Sequence, residues 1–307
     1  MKLLLTFVPA MMVSTLCFGV FKQTKTVGPA DRPAELKLPR FYKESKQYPL
    51  VVLLHGRGNS ASLTDLYLGL SRNQDQLGYA LLLPNGTDRL SDGQKVWNAT
   101  AECCADNPDS DINDSRYLVG LIEEVKASYS INADQVFVMG HSNGGFMSYR
   151  LACDTNGLIK GIVSVAGSTF ASADQCLTET PINVLQIHGV DDSIVPYDAE
   201  GKDYPAAPDT AQRWADRNQC QQVQENLLAQ NLLLLTAEPG SDENGNISID
   251  GNLFELSFKA ETDEVIYSQC ADDTKVGLWS INGADHAPVF IGRNVIRKAL
   301  EFVGYQK

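Results

Sequence analysis

An α/β fold, with a mostly parallel central sheet and helices on both faces, is what this sequence predicts. Three observations point to it. Short continuous apolar runs recur at 49–54, 79–83, 136–139, 161–166, 182–187 and 276–281, as expected of strands buried on both faces of a parallel sheet. Segments with helical spacing separate most of them, and that alternation places helices on both sides of the sheet. Finally, the run 136–139 passes straight into Gly140-His141-Ser142-Asn143-Gly144. This is a G-x-S-x-G turn, where a strand bends sharply into a helix and lifts a serine hydroxyl clear of the sheet.

The elements follow in order. Met1-Lys2 and a long apolar run read as a secretory signal over 1–22, whose expected removal leaves one domain over 23–307. Residues 23–48 are polar, carry Pro29, Pro33 and Pro39, and predict a lead-in with one edge strand near 35–38. The strand at 49–54 ends in His55-Gly56-Arg57-Gly58. One helix is expected over 62–77, then the strand 79–83, closed by Pro84-Asn85-Gly86. A polar loop holding Trp97, Cys103 and Cys104 runs to about residue 111. Asp114 is expected to cap a helix over Tyr117, Leu118, Leu121, Ile122 and Val125. The elbow strand and its helix come next, then strands 161–166 and 182–187 and a helix at 208–218. Residues from about 221 to 269 read as a β-rich excursion. They are strand-like at 232–235, 253–258 and 265–267, with turn signals at Asn244-Gly245 and Asp250-Gly251. The strand 276–281 and a helix at 295–303 follow.

Composition bounds the function. With 307 residues, 43% of them hydrophobic, the chain can bury one large core. A net charge of −13 argues against a nucleic-acid partner, which needs a basic face. It suits a small-molecule or oligomeric substrate met in water, with no stable membrane association once the signal is gone. Removing Cys17 with the signal leaves Cys103, Cys104, Cys153, Cys176, Cys220 and Cys270. An even number in an exported chain, secreted or periplasmic, favours disulfides. No C-x-x-C spacing suggests zinc. The acidic stretch Asp106, Asp109, Asp111, Asp114 lacks the glycine and distal glutamate of a calcium loop. No metal or organic cofactor is expected.

A serine hydroxyl needs a base within hydrogen-bond reach, and a carboxylate to fix that base's tautomer. With a nucleophile elbow on a parallel sheet, the chain order is serine, acid, histidine. The sequence has four histidines. His55 and His141 precede the serine, and His188 precedes the best acid. Only His286 lies far downstream, just past the strand 276–281. The acid belongs in the loop after 182–187, where Asp191 and Asp192 both qualify by position. A tetrahedral intermediate needs backbone N–H donors. The N–H of Asn143, the residue after the nucleophile, supplies one, and the loop after the first buried strand offers that of Arg57.

These residues resemble the secreted polyhydroxybutyrate depolymerase-like and feruloyl/acetylxylan esterase-like branch of the α/β-hydrolases, from about residue 48 onward. Its first-strand motif is similar to Pro49-Leu50-Val51-Val52-Leu53-Leu54-His55-Gly56. Its tryptophan and paired cysteines are similar to Trp97-Asn98 with Cys103-Cys104, and its elbow to Ser142-Asn143-Gly144-Gly145-Phe146-Met147. Its acid loop is similar to His188-Gly189, Asp192 and Val195-Pro196-Tyr197, an alignment that selects Asp192. The chain departs from the branch around His286, where Ala284-Asp285 precede and Ala287-Pro288 follow, without the usual glycines or Trp-Pro. The resemblance implies an α/β-hydrolase fold and a catalytic set of Ser142, Asp192 and His286. It implies an oxyanion hole at Arg57 and Asn143. Trp97 reads as a wall for substrate beside the serine, with a packed loop anchor as the alternative. The resemblance fits a Cys220–Cys270 disulfide, with Cys103 and Cys104 bonding outward rather than to each other.

The expected function is a secreted serine carboxylic-ester hydrolase working through an acyl-enzyme. Its substrates would be polyhydroxybutyrate-type oligomers or feruloyl or acetyl esters of plant polysaccharides. The alternatives are a serine peptidase of the same fold and a non-catalytic secreted binding protein.

Overall fold

The computed structural model describes residues 23–88, 91–104, 111–233, 260–290 and 294–307. The expected signal, 1–22, lies outside them. The lead-in forms a hairpin of β1 (Thr24–Val27) and β2 (Ala34–Lys37), one strand more than the sequence suggested. The strands β3 (Tyr48–Leu54) and β4 (Ala80–Leu83) follow. β5 (Thr87–Asp88) and β6 (Lys95–Val96) pair only with each other. Then come β7 (Ile131–His141), β8 (Gly161–Val165), β9 (Asn183–Gly189), β10 (Gln222–Gln230), β11 (Thr262–Ser268) and β12 (Val276–Ile281).

Ten of these strands make one sheet in the order β1-β2-β4-β3-β7-β8-β9-β12-β11-β10. The six central strands, β4 to β12 in that order, run parallel. Antiparallel pairs extend both edges. The helices are α1 (Ala61–Leu68), α2 (Leu70–Leu77), α3 (Asp114–Ser128), α4 (Asn143–Asp154), α5 (Ala207–Arg217) and α6 (Asn294–Phe302).

The continuous apolar runs are explained by a core on each face. Along β3, Leu50, Val52 and Leu54 join one core, with Leu118 and Ile122 of α3, Phe146 of α4 and Trp214 of α5. Val51 and Leu53 join the other, with Leu68, Leu77 and Leu300 of α1, α2 and α6. Period-2 alternation therefore sends successive side chains into two different apolar layers, and no position on the strand is left for a polar residue.

Four local expectations need correction. The helix expected over 62–77 is two helices, because Gly69 adopts φ +75 and ends α1. A glycine takes that left-handed conformation without a Cβ clash. The cap of α3 is Asn113, whose side chain accepts from Arg116 N at 2.8 Å. Asp114 instead accepts from Asn98 N at 2.6 Å and pairs with Arg32 at 2.7 Å. β10 lies within the stretch read as β-rich, but no strand was expected at 222–230. Gln222, Gln224 and Glu225 are exposed on this edge strand, so it lacks the apolar alternation that marks a half-buried strand. Of the other runs in the excursion, 265–267 falls in β11, while 253–258 and both turn signals lie outside the described residues.

The last correction concerns disulfides. Cys220 bonds Cys270, and Cys153 bonds Cys176. Cys103 and Cys104 bond each other rather than outward. No helix of the described residues is long and apolar enough to cross a membrane.

Candidate active site

The parallel strands bring their C-terminal ends to one rim. In register, Leu54 of β3 faces Gly140 of β7, and His141 faces Val165 of β8. Val165 in turn faces Ile187 of β9, and Gly189 faces Ile281 of β12. Whatever follows β3, β7, β9 and β12 therefore shares that rim. There lie Arg57, Ser142, Asp192 and His286.

Ser142 sits between β7 and α4 with φ +55 and ψ −121, a backbone conformation seldom seen outside glycine. The flanking glycines are required by contact. A side chain at Gly140 would run into the Gly144 carbonyl, and one at Gly144 into the carbonyls of Leu54 and His55. The elbow is thus clamped against the end of β3. A Cβ at Gly56 would lie 3.3 Å from Ser142 Cβ and 3.2 Å from His141 Nδ1, so the loop containing Arg57 runs beside the serine. The Arg57 side chain turns away, to Asp92 and Gln94 at 3.2 Å each. The loop itself is held by Gly58 N, which donates to Lys95 O at 2.9 Å, and by Asn59 N, which donates to Gly56 O at 3.1 Å.

Asp192 is buried and Asp191 exposed. His286 Nδ1 lies 2.8 Å from Asp192 Oδ2 and 3.0 Å from Oδ1. A carboxylate only accepts, so the proton of a neutral His286 ring is on Nδ1, and Nε2 is the basic nitrogen. Burial alone would raise the Asp192 carboxyl. Hydrogen bonds from His188, His286 and Val195 N overcome it and hold the group well below the usual carboxylate range. Ser142 is half-buried, and among the described residues none hydrogen-bonds its side chain. His286 reaches the elbow through His141, whose ring centroid is 5.0 Å from its own.

Asn143 is fully buried. Its side chain accepts from Trp97 N at 2.7 Å and donates to Trp97 O at 3.0 Å. Trp97, expected to line the substrate pocket, is itself fully buried. Its indole donates to His55 O at 3.0 Å and tilts against the His55 ring at 5.0 Å. It braces the two loops that carry the oxyanion candidates and offers no surface to a ligand. His55 is neutral: Nδ1–H donates to Gly56 O at 2.8 Å, Nε2 accepts from Gly86 N at 2.9 Å, and burial lowers its pKa.

Three residues escaped the sequence reading. His188 touches Asp192 Oδ2 at 3.2 Å, although it was set aside for preceding the acid. Asp285 looked only like a departure from the resemblance. Its carboxylate accepts from Ser193 N at 2.9 Å and His286 N at 2.7 Å, tying the acid loop to the histidine loop. Those two N–H groups also lower its pKa. His141 Nε2 donates to His286 O at 3.0 Å. For Asp285 and His141 the sequence signal was position beside residues already chosen, and for His188 its place in the acid-loop motif. Among the described residues, no group of histidines, cysteines and acids could hold a metal ion.

Comparison with known proteins agrees with this architecture. Over 150 residues the chain is 32% identical to "Putative esterase NocK" of Nocardia uniformis subsp. tsuyamanensis, covering 49% of this chain and 42% of that one. It is 24% identical over 275 residues to feruloyl esterase B of Piromyces equi, covering 83% of this chain and 42% of that one. The chain thus spans well under two thirds of the length of both relatives. The solved acetyl xylan esterase from Aspergillus awamori superposes with a TM-score of 0.63 at 12% identity, over 91% of this chain and 99% of that one, a likeness of fold. The sheet and its elbow are those of the α/β-hydrolase fold, in keeping with the feruloyl- and acetylxylan-esterase-like resemblance. Residues 41–225 match the phospholipase/carboxylesterase family, and the chain belongs to that family.

Proposed function

We propose that this protein is an exported serine carboxylic-ester hydrolase. The observation that carries the reading is His286 Nδ1 held at 2.8 Å on the buried Asp192, on the same rim as the elbow serine. Ser142 Oγ attacks the ester carbonyl carbon, and its proton passes to His286 Nε2. The carbonyl oxygen takes up the negative charge between the N–H groups of Asn143 and Arg57. As the tetrahedral intermediate collapses, the C–O bond to the alcohol breaks and His286 returns the proton to the leaving oxygen. Water then attacks the acyl-serine by the same route and releases the acid.

The names of the relatives favour feruloyl or acetyl groups on polysaccharides as the acyl donors. Polyhydroxybutyrate-type oligomers belong on the same assay panel. Export is supported by the apolar stretch after Lys2 and by the three disulfides among the described residues. The test is labelling with a fluorophosphonate, followed by mass spectrometry. The adduct is expected on Ser142 and absent from Ser142→Ala. Labelling that survives this substitution defeats the assignment. Turnover of p-nitrophenyl esters with none of the matching anilides is the result expected of an esterase rather than a peptidase.

A further inference from the structure

The candidate acid is held by more than the candidate base. Asp192 Oδ1 accepts from Ile194 N at 2.9 Å and Val195 N at 2.8 Å. Oδ2 faces His286 Nδ1 at 2.8 Å and His188 Nε2 at 3.2 Å. His188 is 1% exposed. Its Nδ1 lies 2.9 Å from Gln186 Nε2. An amide nitrogen only donates, so Nδ1 of His188 accepts and the ring proton must be on Nε2. That Nε2–H is shared between Val195 O at 2.8 Å and Asp192 Oδ2 at 3.2 Å.

The amide orientation that forces this tautomer is fixed in turn. Gln186 Oε1 accepts from the Tyr149 hydroxyl at 2.8 Å, and Nε2 also donates to Gly167 O at 2.7 Å. A flipped amide would set its oxygen against the Gly167 carbonyl. Tyr149, Gln186 and His188 are all buried, so each of these hydrogen bonds costs free energy to leave unmade. The chain of bonds runs from α4, the helix that begins at the nucleophile, through Tyr149, Gln186 and His188 to Asp192.

We propose that His188 is a positioning residue for the acid: a neutral imidazole, locked as the Nε2–H tautomer by Gln186, that fixes the Asp192 carboxylate in the orientation His286 requires. Because the ring is neutral, it orients the carboxylate without adding a positive charge to compete with the imidazolium formed at His286. The proposal rests on the reading of Asp192 and His286 as acid and base.

The test uses the purified full-length protein. At pH 7, ¹⁵N spectra are expected to show His188 as the neutral Nε2–H tautomer. The Nδ1–H tautomer or an imidazolium overturns the proposal whatever the variants do. With p-nitrophenyl acetate, His188→Leu is expected to lower kcat on the order of 10²-fold with KM within about threefold. That is less than the ~10⁴-fold cost of a wrong histidine tautomer in a serine triad. His188→Gln, whose amide can present a donor at similar reach, is expected to recover kcat to within about fivefold of wild type. Wild-type kcat in His188→Leu, or no recovery in a folded His188→Gln, sinks the role. If His188→Leu does not fold, Gln186→Leu carries the kinetic arm, with the same fall in kcat at unchanged KM expected and unchanged kcat counting against. His286→Ala separates the two readings. Fluorophosphonate labelling at the wild-type rate in that variant removes the base itself. Slowed labelling there beside an unaffected His188→Leu removes only His188.

Discussion

The Nε2–H of His141 donates to the carbonyl oxygen of His286 at 3.0 Å. The residue just before the candidate nucleophile thus holds the main chain of the candidate base. Tyr67 of α1 adds a second hold, donating to Pro288 O at 3.0 Å and meeting the His141 ring edge-on at 5.3 Å. The histidine loop is pinned on its other side by Asp285, which accepts from Ser193 N. A base on a surface loop needs such ties, because an error of about 1 Å in a reacting group can cost 10²-fold in rate.

From this relationship we predict that His141→Phe lowers kcat on ester substrates by roughly tenfold with KM nearly unchanged, since only the positioning of the base is loosened. His141→Gln, which can still present an amide N–H to His286 O, should lose less than about threefold. Steady-state kinetics on both variants, with circular dichroism to confirm folding, make the comparison. Equal activity of His141→Phe and wild type would remove the tie from the mechanism.

The same histidine predicts a pH dependence of stability. Burial lowers the His141 pKa from 6.5 to about 4, and burial lowers His55 in the same direction. A base depressed in the folded state binds protons more readily when unfolded. Its neutral form therefore costs nothing above pH 6.5, and stability falls as pH drops from there toward 4. For His141 alone the loss is about 3 kcal/mol across that window. Asp192, whose carboxyl is lowered, adds a further loss below the ordinary carboxylate pKa near 4. Urea unfolding of wild type and His141→Gln at pH 7 and 4.5 is the measurement. The variant should be the less pH-sensitive of the two, and identical slopes would contradict the assignment.

The legible parts of the sequence were those where one physical demand left few choices. Runs such as Val51, Val52 and Leu53 must be apolar because both sheet faces are covered. Gly140 and Gly144 must lack side chains because carbonyls occupy the space. Asp192 could not be separated from Asp191 by residue spacing alone. The choice came from resemblance, and burial is the physical difference between them. Trp97 was misread because an aromatic residue before the elbow suits a pocket wall and a buried brace equally well. Its full burial and the indole's hydrogen bond to His55 O distinguish the two. His188 was invisible as a partner because its contact depends on how the β9 loop turns back, and Gln222 to Gln230 because an exposed edge strand carries no periodic signal.

The corrected role of Trp97 yields its own expectation. Trp97→Phe keeps an aromatic ring in the core but loses the indole N–H that donates to His55 O. The backbone bonds to Asn143 remain available, so folding should survive with a cost of roughly 1–2 kcal/mol. The loop of Arg57 would lose one of its ties to the elbow. We predict a three- to thirtyfold fall in kcat with KM little changed, below the 10²–10³ typical of removing an oxyanion donor outright. A raised KM at constant kcat would instead return Trp97 to the role of a substrate wall.

The Cys220–Cys270 disulfide should matter for stability and not for chemistry. It joins the end of α5 to the segment just before β12, across a sequence separation of 50. His286 lies beyond the opposite end of that strand, which runs from Val276 to Ile281 and so spans roughly 20 Å at ~3.3 Å per residue. The bond chiefly restricts the unfolded chain, and its loss is worth about 2–4 kcal/mol. At this chain length that corresponds to a fall in Tm of roughly 3–7 °C. Cys220→Ala with Cys270→Ala, assayed at 20 °C where the variant remains folded, is expected to keep kcat and KM within twofold of wild type. Scanning calorimetry on the same preparation should show the lower transition. A large loss of kcat in a folded double variant would mean that the base of the β10–β11 hairpin sets the position of His286 after all.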